Sequence, residues 1–184
     1  MNKGLSAASG DYVIFINSGD RLSDKDVIFK IINAIGNDSP DVVYGNYREC
    51  KGDMSLSKVI PCRDSRKIWY GMIASHQSIL YRLHHLHIYN LSYDESYKIA
   101  GDFKLTAQAV QKANSILRTN ICISDFDVSG VSSTNKNAGL AEANRVRREV
   151  FNWGSLRIAI LSSILLLARY TKRYAYPVYK LVRN

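Results

Sequence analysis

GDYVIFINSGD, residues 10–20, is the stretch of sequence that indicates the fold class of this chain. Residues 12–16 form a continuous run of β-branched and aromatic side chains. Such a run is typical of a strand that is buried on both faces in a parallel sheet. The polar turn after it places the Asp20 carboxylate at the C-terminal edge of that sheet. Open α/β sheets bind their ligands at this edge, so the stretch predicts a phosphate or metal site.

The surrounding pattern predicts an α/β fold. A helix over 24–36 and a strand over 41–47 follow residues 12–16, which favours a β-α-β unit with an adjacent parallel pair and a right-handed crossover. The other elements predicted are a strand over 78–82 with a His-rich loop after it, a helix from 101, a strand over 116–128, and helices over 140–152 and 154–173.

The positive charge is concentrated in the C-terminal part of the chain. The net charge is +9 over 184 residues. Residues 1–144 hold 16 Lys or Arg against 15 Asp or Glu, whereas residues 145–184 hold nine against one. The body is therefore close to neutral and has no basic face, which argues against a nucleic-acid-binding protein. The length and hydrophobic content suit one domain with a real core.

The cysteines and the N-terminal sequence indicate a cytoplasmic protein. Cys50, Cys62 and Cys122 are odd in number and widely spaced. They form neither a zinc pattern nor a disulfide framework and suit a reducing compartment. The first 20 residues lack the charged and apolar regions of a signal peptide.

Three short motifs carry candidate chemistry. Asp20 follows a strand and is a candidate Mg²⁺ or Mn²⁺ ligand; alternatively, Asp20 and Asp24 only form a turn and cap a helix. His76 and Gln77 precede a strand and can bind a sugar or a phosphate, or can form a satisfied polar pair. Asp102 begins a helix, where it acts as a cap or as a general base for an acceptor hydroxyl.

The order of these motifs resembles family-2 glycosyltransferases of the GT-A type, of the kind found in capsule and colanic-acid biosynthesis. Residues 1–12 resemble the segment before the acidic metal-binding turn of that family, and residues 17–20 are similar to its Asn-Ser-x-Asp form. Residues 76–78, 93–94 and 100–103 resemble the acceptor-side region. Residues 126–133 look like the loop that closes the site.

The resemblance implies a fold, an activity and a set of site residues. The fold expected is an incomplete GT-A sheet of mixed, Rossmann-like type over residues 1–135, flanked by helices, with basic amphipathic helices over 136–184. The activity expected is inverting, metal-dependent transfer of a sugar from a nucleotide-sugar to a glycan or lipid-linked acceptor in bacterial surface polysaccharide synthesis. Asp20 is carried over as the metal ligand and Asp102 as the catalytic base. The residues carried over as substrate-binding are Asn17, His76, Gln77, Gly101 and Ser132.

The resemblance also implies a further segment. Such enzymes carry roughly 60 to 80 additional N-terminal residues, which supply the first strands of the sheet and most of the nucleotide pocket. Two function classes therefore follow. One is an active glycosyltransferase, with or without a complementing N-terminal chain. The other is a non-catalytic remnant that binds a membrane or a partner.

The C-terminal residues predict a membrane-surface helix. Residues 158–168 are uncharged and strongly apolar, but these 11 residues are fewer than the roughly 20 that a bilayer span needs. Basic residues at 145, 147, 148, 169, 172 and 173 bracket the run, and tyrosines lie at 170, 174 and 176. A helix lying in the cytoplasmic leaflet fits this pattern. The alternative is a helix packed on the domain with its charges outward.

Overall fold

The computed structural model describes residues 1–50, 55–128 and 135–174. Its strands are β1 (Tyr12–Ile14), β2 (Arg21–Leu22), β3 (Val42–Cys50), β4 (Ile79–Arg82) and β5 (Ile116–Asp127). Its α-helices are α1 (Asn2–Ala7), α2 (Val27–Ile35), α3 (Leu83–Ile88), α4 (Gly101–Lys112), α5 (Lys136–Glu149) and α6 (Ser155–Tyr174). Short 3₁₀ helices cover Ser65–Tyr70 and His76–Ser78.

The five strands form one mixed sheet in the spatial order β1-β4-β3-β5-β2. β3 and β5 are parallel, while β4 runs antiparallel to both β1 and β3, and β2 runs antiparallel to β5. The predicted α/β class with a mixed sheet and flanking helices is therefore confirmed.

The predicted neighbour of β1 is wrong. β1 is an edge strand of this sheet, is only half-buried, and pairs antiparallel with β4, which separates it from β3. β1 and β3 still run in the same direction, because both are antiparallel to β4. A run of apolar residues indicates burial but does not specify which strand lies beside it, and β4 comes from 65 residues further along the chain.

The sheet separates two layers of core. Alternate residues of β3 point to opposite faces: Val43 packs with α2, whereas Val42 and Tyr44 pack with α3 and α4. α2 contributes Val27, Ile31 and Ile35, whose helical spacing the sequence predicts correctly.

Gly45 allows the two central strands to approach each other. A Cβ at this position would lie 2.5 Å from the carbonyl oxygen of Ile121 on β5. The register between β3 and β5 shifts on both sides of Asn46. This shift in register lies in β3, and the C-terminal end of β3 lines the cleft of the candidate active site.

The predicted His-rich loop is wrong, since residues 83–88 form α3. Leu83 and Leu86 are buried in the core and hold this helix against β4. His85 is buried as well; its Nε2 lies 3.0 Å from the carbonyl oxygen of Ala109, and its Nδ1 lies 3.7 Å from Asp41. His84 and His87 are exposed.

α5 packs closely on the rest of the fold. Val146 and Val150 belong to the same core as α4. Arg147 is 1% exposed and donates hydrogen bonds to the carbonyl oxygens of Trp69 and Tyr70 and to Asn144. The division of the chain at residue 135 stays a prediction.

Over residues 155–170, α6 packs on the rest of the fold through one face. Ile158 and Leu161 are buried, and Ser162 accepts a hydrogen bond from Asn144 on α5. Its other face carries large apolar side chains that are 46–76% exposed, namely Leu156, Ile160, Ile164, Leu166 and Leu167. In the described part of the chain, every helix is too short or too polar to cross a membrane.

Candidate active site

A cleft of about 750 Å³ opens where β1, β3 and β5 end. Its walls come from the turn after β1, the end of β3, the 3₁₀ helix before β4, the start of α4 and the end of β5. This is the C-terminal edge of the three strands that run in one direction, and it is where the sequence predicts a ligand site. The predicted site residues that line the cleft are Asn17, Asp20, His76, Gln77, Gly101 and Asp102.

Both carboxylate oxygens of Asp20 are held by N–H groups from other parts of the fold. Oδ1 accepts from the backbone N–H of Asp127 at 2.8 Å, and Oδ2 accepts from the Gln77 amide. Gln77 is fully buried, and its own carbonyl oxygen accepts from the Ser75 hydroxyl. Asp20 therefore reaches across the cleft and does not form a local turn only. Asp24 is the residue with the local role, since it accepts from the backbone N–H of Asp26 just before α2.

The turn that presents Asp20 depends on Gly19, whose φ is +92°. A side chain at this backbone conformation is strained, and a Cβ would also lie 3.1 Å from an Asp127 carboxylate oxygen. Asp127 lies in the stretch 126–133 that resembles the loop closing the site, but no site role was predicted for it, and it lines the cleft. The alternation of Asp125 and Asp127 at the end of a strand was the available signal, because it puts both on the same side of β5.

His76 lies between the turn and the start of α4. Its Nε2 is 3.0 Å from the Asn17 side-chain amide nitrogen, and its Nδ1 is 3.6 Å from Asp102 Oδ2. The His76 side chain is 12% exposed. Burial lowers the pKa of His76, although the nearby carboxylates of Asp102 and Asp20 act to raise it. His76 thus joins two predicted site residues that are 85 positions apart in the sequence.

Asp102 uses its two oxygens in different ways. Oδ1 accepts from the backbone N–H of Phe103 at 2.7 Å within the first turn of α4, whose N-cap is Ala100, while Oδ2 faces His76. The side chain is 30% exposed, and that exposure is to the cleft. Burial raises the pKa of Asp102, while His76 and the backbone N–H groups lower it. A partly dehydrated carboxylate at the wall of a cleft is a stronger base than one in water.

The start of α4 is fixed by a carboxylate from α5. Glu142 accepts hydrogen bonds from the backbone N–H groups of Lys98, Ile99 and Ala100, at 3.1, 2.8 and 2.8 Å. Burial acts to raise the pKa of Glu142, but these backbone hydrogen bonds lower it. Since Ala100 is the N-cap of α4, Glu142 sets the position of Asp102 two residues later.

The residues present fit a metal ion that is bound by few protein ligands. In residues 1–50, 55–128 and 135–174, no group of three or more His, Cys, Asp or Glu side chains is arranged to hold a metal. Mg²⁺ in nucleotide sites takes one or two protein carboxylates and completes its coordination with phosphates and water. Among the described residues, each oxygen of Asp20 accepts one N–H in the cleft wall, and a carboxylate oxygen has a further lone pair for a cation.

Gly101 and Ser132 complete the set of predicted residues. Gly101 lies in the cleft wall, where a Cβ would make only ordinary contacts with Tyr93 and Tyr97. Ser132 lies outside the described residues. Tyr93, which belongs to the acceptor-side resemblance at residues 93–94, lines the cleft, and its ring packs edge-to-face on Phe15 at 5.1 Å.

The comparisons with known proteins concern the family and the fold of the chain. The model of the family described as "Glycosyl transferase family 2" matches residues 1–97. No curated protein sequence matches the chain.

Among solved structures, the chain is similar in fold to S. aureus TarS. The crystal structure of TarS 1–349 in complex with UDP has 18% identity and a TM-score of 0.58, over 87% of this chain and 47% of that chain. The complex with UDP-GlcNAc has 17% identity and the same TM-score, over 87% and 49%. The chain therefore spans about half the length of these TarS chains, and its sheet and helices match part of the GT-A fold.

Proposed function

Because the chain belongs to glycosyl transferase family 2, we propose that it transfers a sugar from a nucleotide-sugar donor to an acceptor hydroxyl, with inversion at the anomeric carbon. The observation that carries the proposal is the placement of Asp20 and Asp102 in one cleft, with His76 between Asp102 and the turn that presents Asp20. Asp20 lies in the turn after β1, and Asp102 lies in the first turn of α4. A donor bound at Asp20 can therefore meet an acceptor bound at Asp102 within the cleft.

The donor side of the cleft consists of Asn17, Asp20 and Gln77. Asp20 is the proposed ligand of Mg²⁺ or Mn²⁺, and such an ion, when bound, neutralises the charge of a leaving diphosphate. Gln77 keeps the Asp20 carboxylate in its orientation through the hydrogen bond to Oδ2. The exposed Asn17 side chain is proposed to contact the nucleotide or the sugar, as is Ser132.

The acceptor side of the cleft consists of Asp102 and Gly101. Asp102 is the proposed general base, which takes the proton of the acceptor hydroxyl as its oxygen attacks the anomeric carbon. Its raised pKa brings it nearer to the pKa that general-base catalysis at neutral pH favours. Gly101 has no side chain and leaves room for the acceptor beside that carboxylate.

The proposed substrates follow from the relatives and from the resemblance. Crystal structures of TarS contain UDP and UDP-GlcNAc, which supports a uridine-diphosphate sugar as the donor to test first. The proposed acceptor is a glycan or a lipid-linked glycan of a bacterial surface polysaccharide. A complementing chain is a further proposed partner, because β1 is an edge strand of the sheet and has backbone groups that another strand can pair with.

The proposed location is the cytoplasmic face of the membrane. The exposed apolar face of α6 and the excess of basic residues from 145 onward support a helix that lies among anionic head groups. Lipid-linked acceptors are presented at that surface. The residues at 175–184, which include Tyr176 of the predicted interfacial set, lie outside the described residues.

The test is sugar transfer by two site variants, with UDP-GlcNAc and Mn²⁺ as probes. We expect Asp102→Asn to reduce transfer by roughly 10²- to 10⁴-fold, the usual contribution of a general base, while Mn²⁺-dependent donor binding remains. Asp20→Ala should lose donor binding and transfer together. Asp24→Asn, which changes an acid outside the cleft, is the matched control.

Two outcomes contradict the proposal. Wild-type transfer by Asp20→Ala or Asp102→Asn would overturn the assignment of these residues. If the unaltered chain gives neither calorimetric heat nor a thermal shift with nucleotide-sugars and Mn²⁺, the non-catalytic alternative is favoured.

A further inference from the structure

We propose that His76 is a positioning residue, which uses both ring nitrogens within the protein to hold the Asp102 carboxylate ionised and aimed into the cleft. This inference rests on the proposed function of Asp102 as the base, and it changes the role of His76 from a substrate contact to a link between the Asn17 turn and α4. The pair of distances at its two ring nitrogens carries the argument.

The contacts specify one tautomer. An ionised carboxylate only accepts hydrogen bonds, so a stabilising contact with Asp102 requires a proton on Nδ1 of His76. In a neutral ring Nε2 is then an acceptor, and the group it meets at 3.0 Å is the Asn17 amide nitrogen, which only donates. The 3.0 Å contact with Asn17 thus puts the proton on Nδ1, and this is the tautomer that an ionised Asp102 favours.

The surroundings favour this neutral form. The His76 side chain is 12% exposed, and a buried imidazolium is costly. The titratable groups that face it are Asp102 from α4 and Asp20 from the turn. Both act to raise the pKa of His76, but burial has the larger effect and the pKa is lowered. The 3.6 Å between Nδ1 and Oδ2 is longer than a hydrogen bond, and contacts of this kind commonly shorten when a substrate is bound.

The geometry gives His76 a defined effect on the reaction. Oδ1 of Asp102 already accepts from the backbone N–H of Phe103, so a hydrogen bond that His76 Nδ1 forms to Oδ2 by closing the 3.6 Å between them restricts rotation of the whole carboxylate. Because Asn17 is in the turn that presents Asp20, the same ring fixes the base relative to the donor side of the cleft. Loss of this contact should lower kcat and leave donor affinity unchanged.

The first test reads the tautomer directly, by long-range ¹H–¹⁵N correlation spectra of the full chain near neutral pH. We expect His76 to be protonated at Nδ1 and unprotonated at Nε2. His85 is the internal control for a protonated Nε2, because that nitrogen lies 3.0 Å from the carbonyl oxygen of Ala109 and must carry a proton. Asp102→Asn should shift the Nδ1 resonance of His76 and should leave the Nδ1 resonance of His85 unchanged. A protonated Nε2 on His76 would overturn the inference.

The second test uses two substitutions that each retain one half of the ring. His76→Asn places an amide near the position of Nδ1, and His76→Gln places one near the position of Nε2. We expect His76→Gln to lower kcat by about 10- to 100-fold, the rate equivalent of one hydrogen bond to a charged group, with little change in donor KM. His76→Asn should retain more activity than His76→Gln. The control is His87→Asn, an exposed histidine on α3.

The outcomes separate this inference from the proposed function. A raised donor KM with unchanged kcat in both variants would mean that His76 contacts substrate, which contradicts the inference and leaves Asp102 as the base. If the unaltered chain transfers no sugar, the proposed function fails, and the tautomer measurement still decides the inference about His76.

Discussion

Glu142 of α5 accepts a hydrogen bond at 2.8 Å from the backbone N–H of Ala100, the residue that caps α4. The same carboxylate also accepts from the two preceding backbone N–H groups. Lys98 and Ile99 precede α4 and Ala100 is its N-cap, so Glu142 supplies the acceptor for three N–H groups that lie outside the helical hydrogen-bond pattern. A side chain from near the end of the described chain therefore fixes the loop that precedes the proposed base.

The first prediction concerns Glu142→Ala. Removing the carboxylate leaves three backbone donors without their acceptor, and we expect the free energy of unfolding to fall by about 1–3 kcal/mol. Urea denaturation followed by circular dichroism measures this. Asp38→Ala, an exposed acid in the loop after α2, is the control. Equal stability of the two variants would contradict the capping role of Glu142.

The second prediction is a pH dependence that comes from Glu149. Burial acts to raise its pKa, but hydrogen bonds from Lys104, Arg145 and Tyr97 lower it from 4.5 to about 2. Because the folded-state pKa lies below the unfolded-state pKa, the stabilisation is complete above pH 4.5 and is lost as the pH falls towards 2. The stability difference between wild type and Glu149→Gln should thus be larger at pH 7 than at acidic pH. An unchanged difference in urea unfolding across this range would refute the prediction.

The third prediction concerns Gln77→Ala. The Gln77 amide is the side-chain donor to Asp20, and residues that orient a metal ligand usually contribute about 10- to 100-fold to metal affinity. We expect Mn²⁺ affinity, measured by calorimetry, to fall by a factor in that range. Gln111→Ala, an exposed glutamine of α4, should bind Mn²⁺ like wild type. If Gln77→Ala binds Mn²⁺ with wild-type affinity, the hydrogen bond from Gln77 to Asp20 does not contribute to metal binding, and the prediction is contradicted.

The fourth prediction concerns the outward face of α6. Replacing Ile160 and Leu167 with Glu removes exposed apolar area and adds negative charge, so binding to phosphatidylserine vesicles should fall by about tenfold or more. Sedimentation with vesicles measures the bound fraction. Asn33→Glu, an exposed residue of α2, adds charge without removing apolar area and should have a smaller effect. Equal binding of both variants, or of wild type to pure phosphatidylcholine, would contradict a membrane role for this face.

Local sequence patterns predicted the elements well but not their neighbours. The helical spacing of Val27, Ile31 and Ile35 and the start of α4 at Gly101 follow from residues a few positions apart, and both are confirmed. The position of β4 between β1 and β3 depends on contacts between distant residues. The same limit explains the error at residues 83–88, where Leu83 and Leu86 form a helix because the core holds them.

By itself, the sequence determined the α/β class, the family, and the residue types at the sheet edge, because each depends on residue identities and on short-range spacing. Only the tertiary structure decided how those residues act together. It placed Gln77 and the Asp127 backbone on the two oxygens of Asp20, and His76 between Asn17 and Asp102. These contacts join residues from 26 positions apart, for His76 and Asp102, to 107 positions apart, for Asp20 and Asp127, and packing of the whole sheet brings them together.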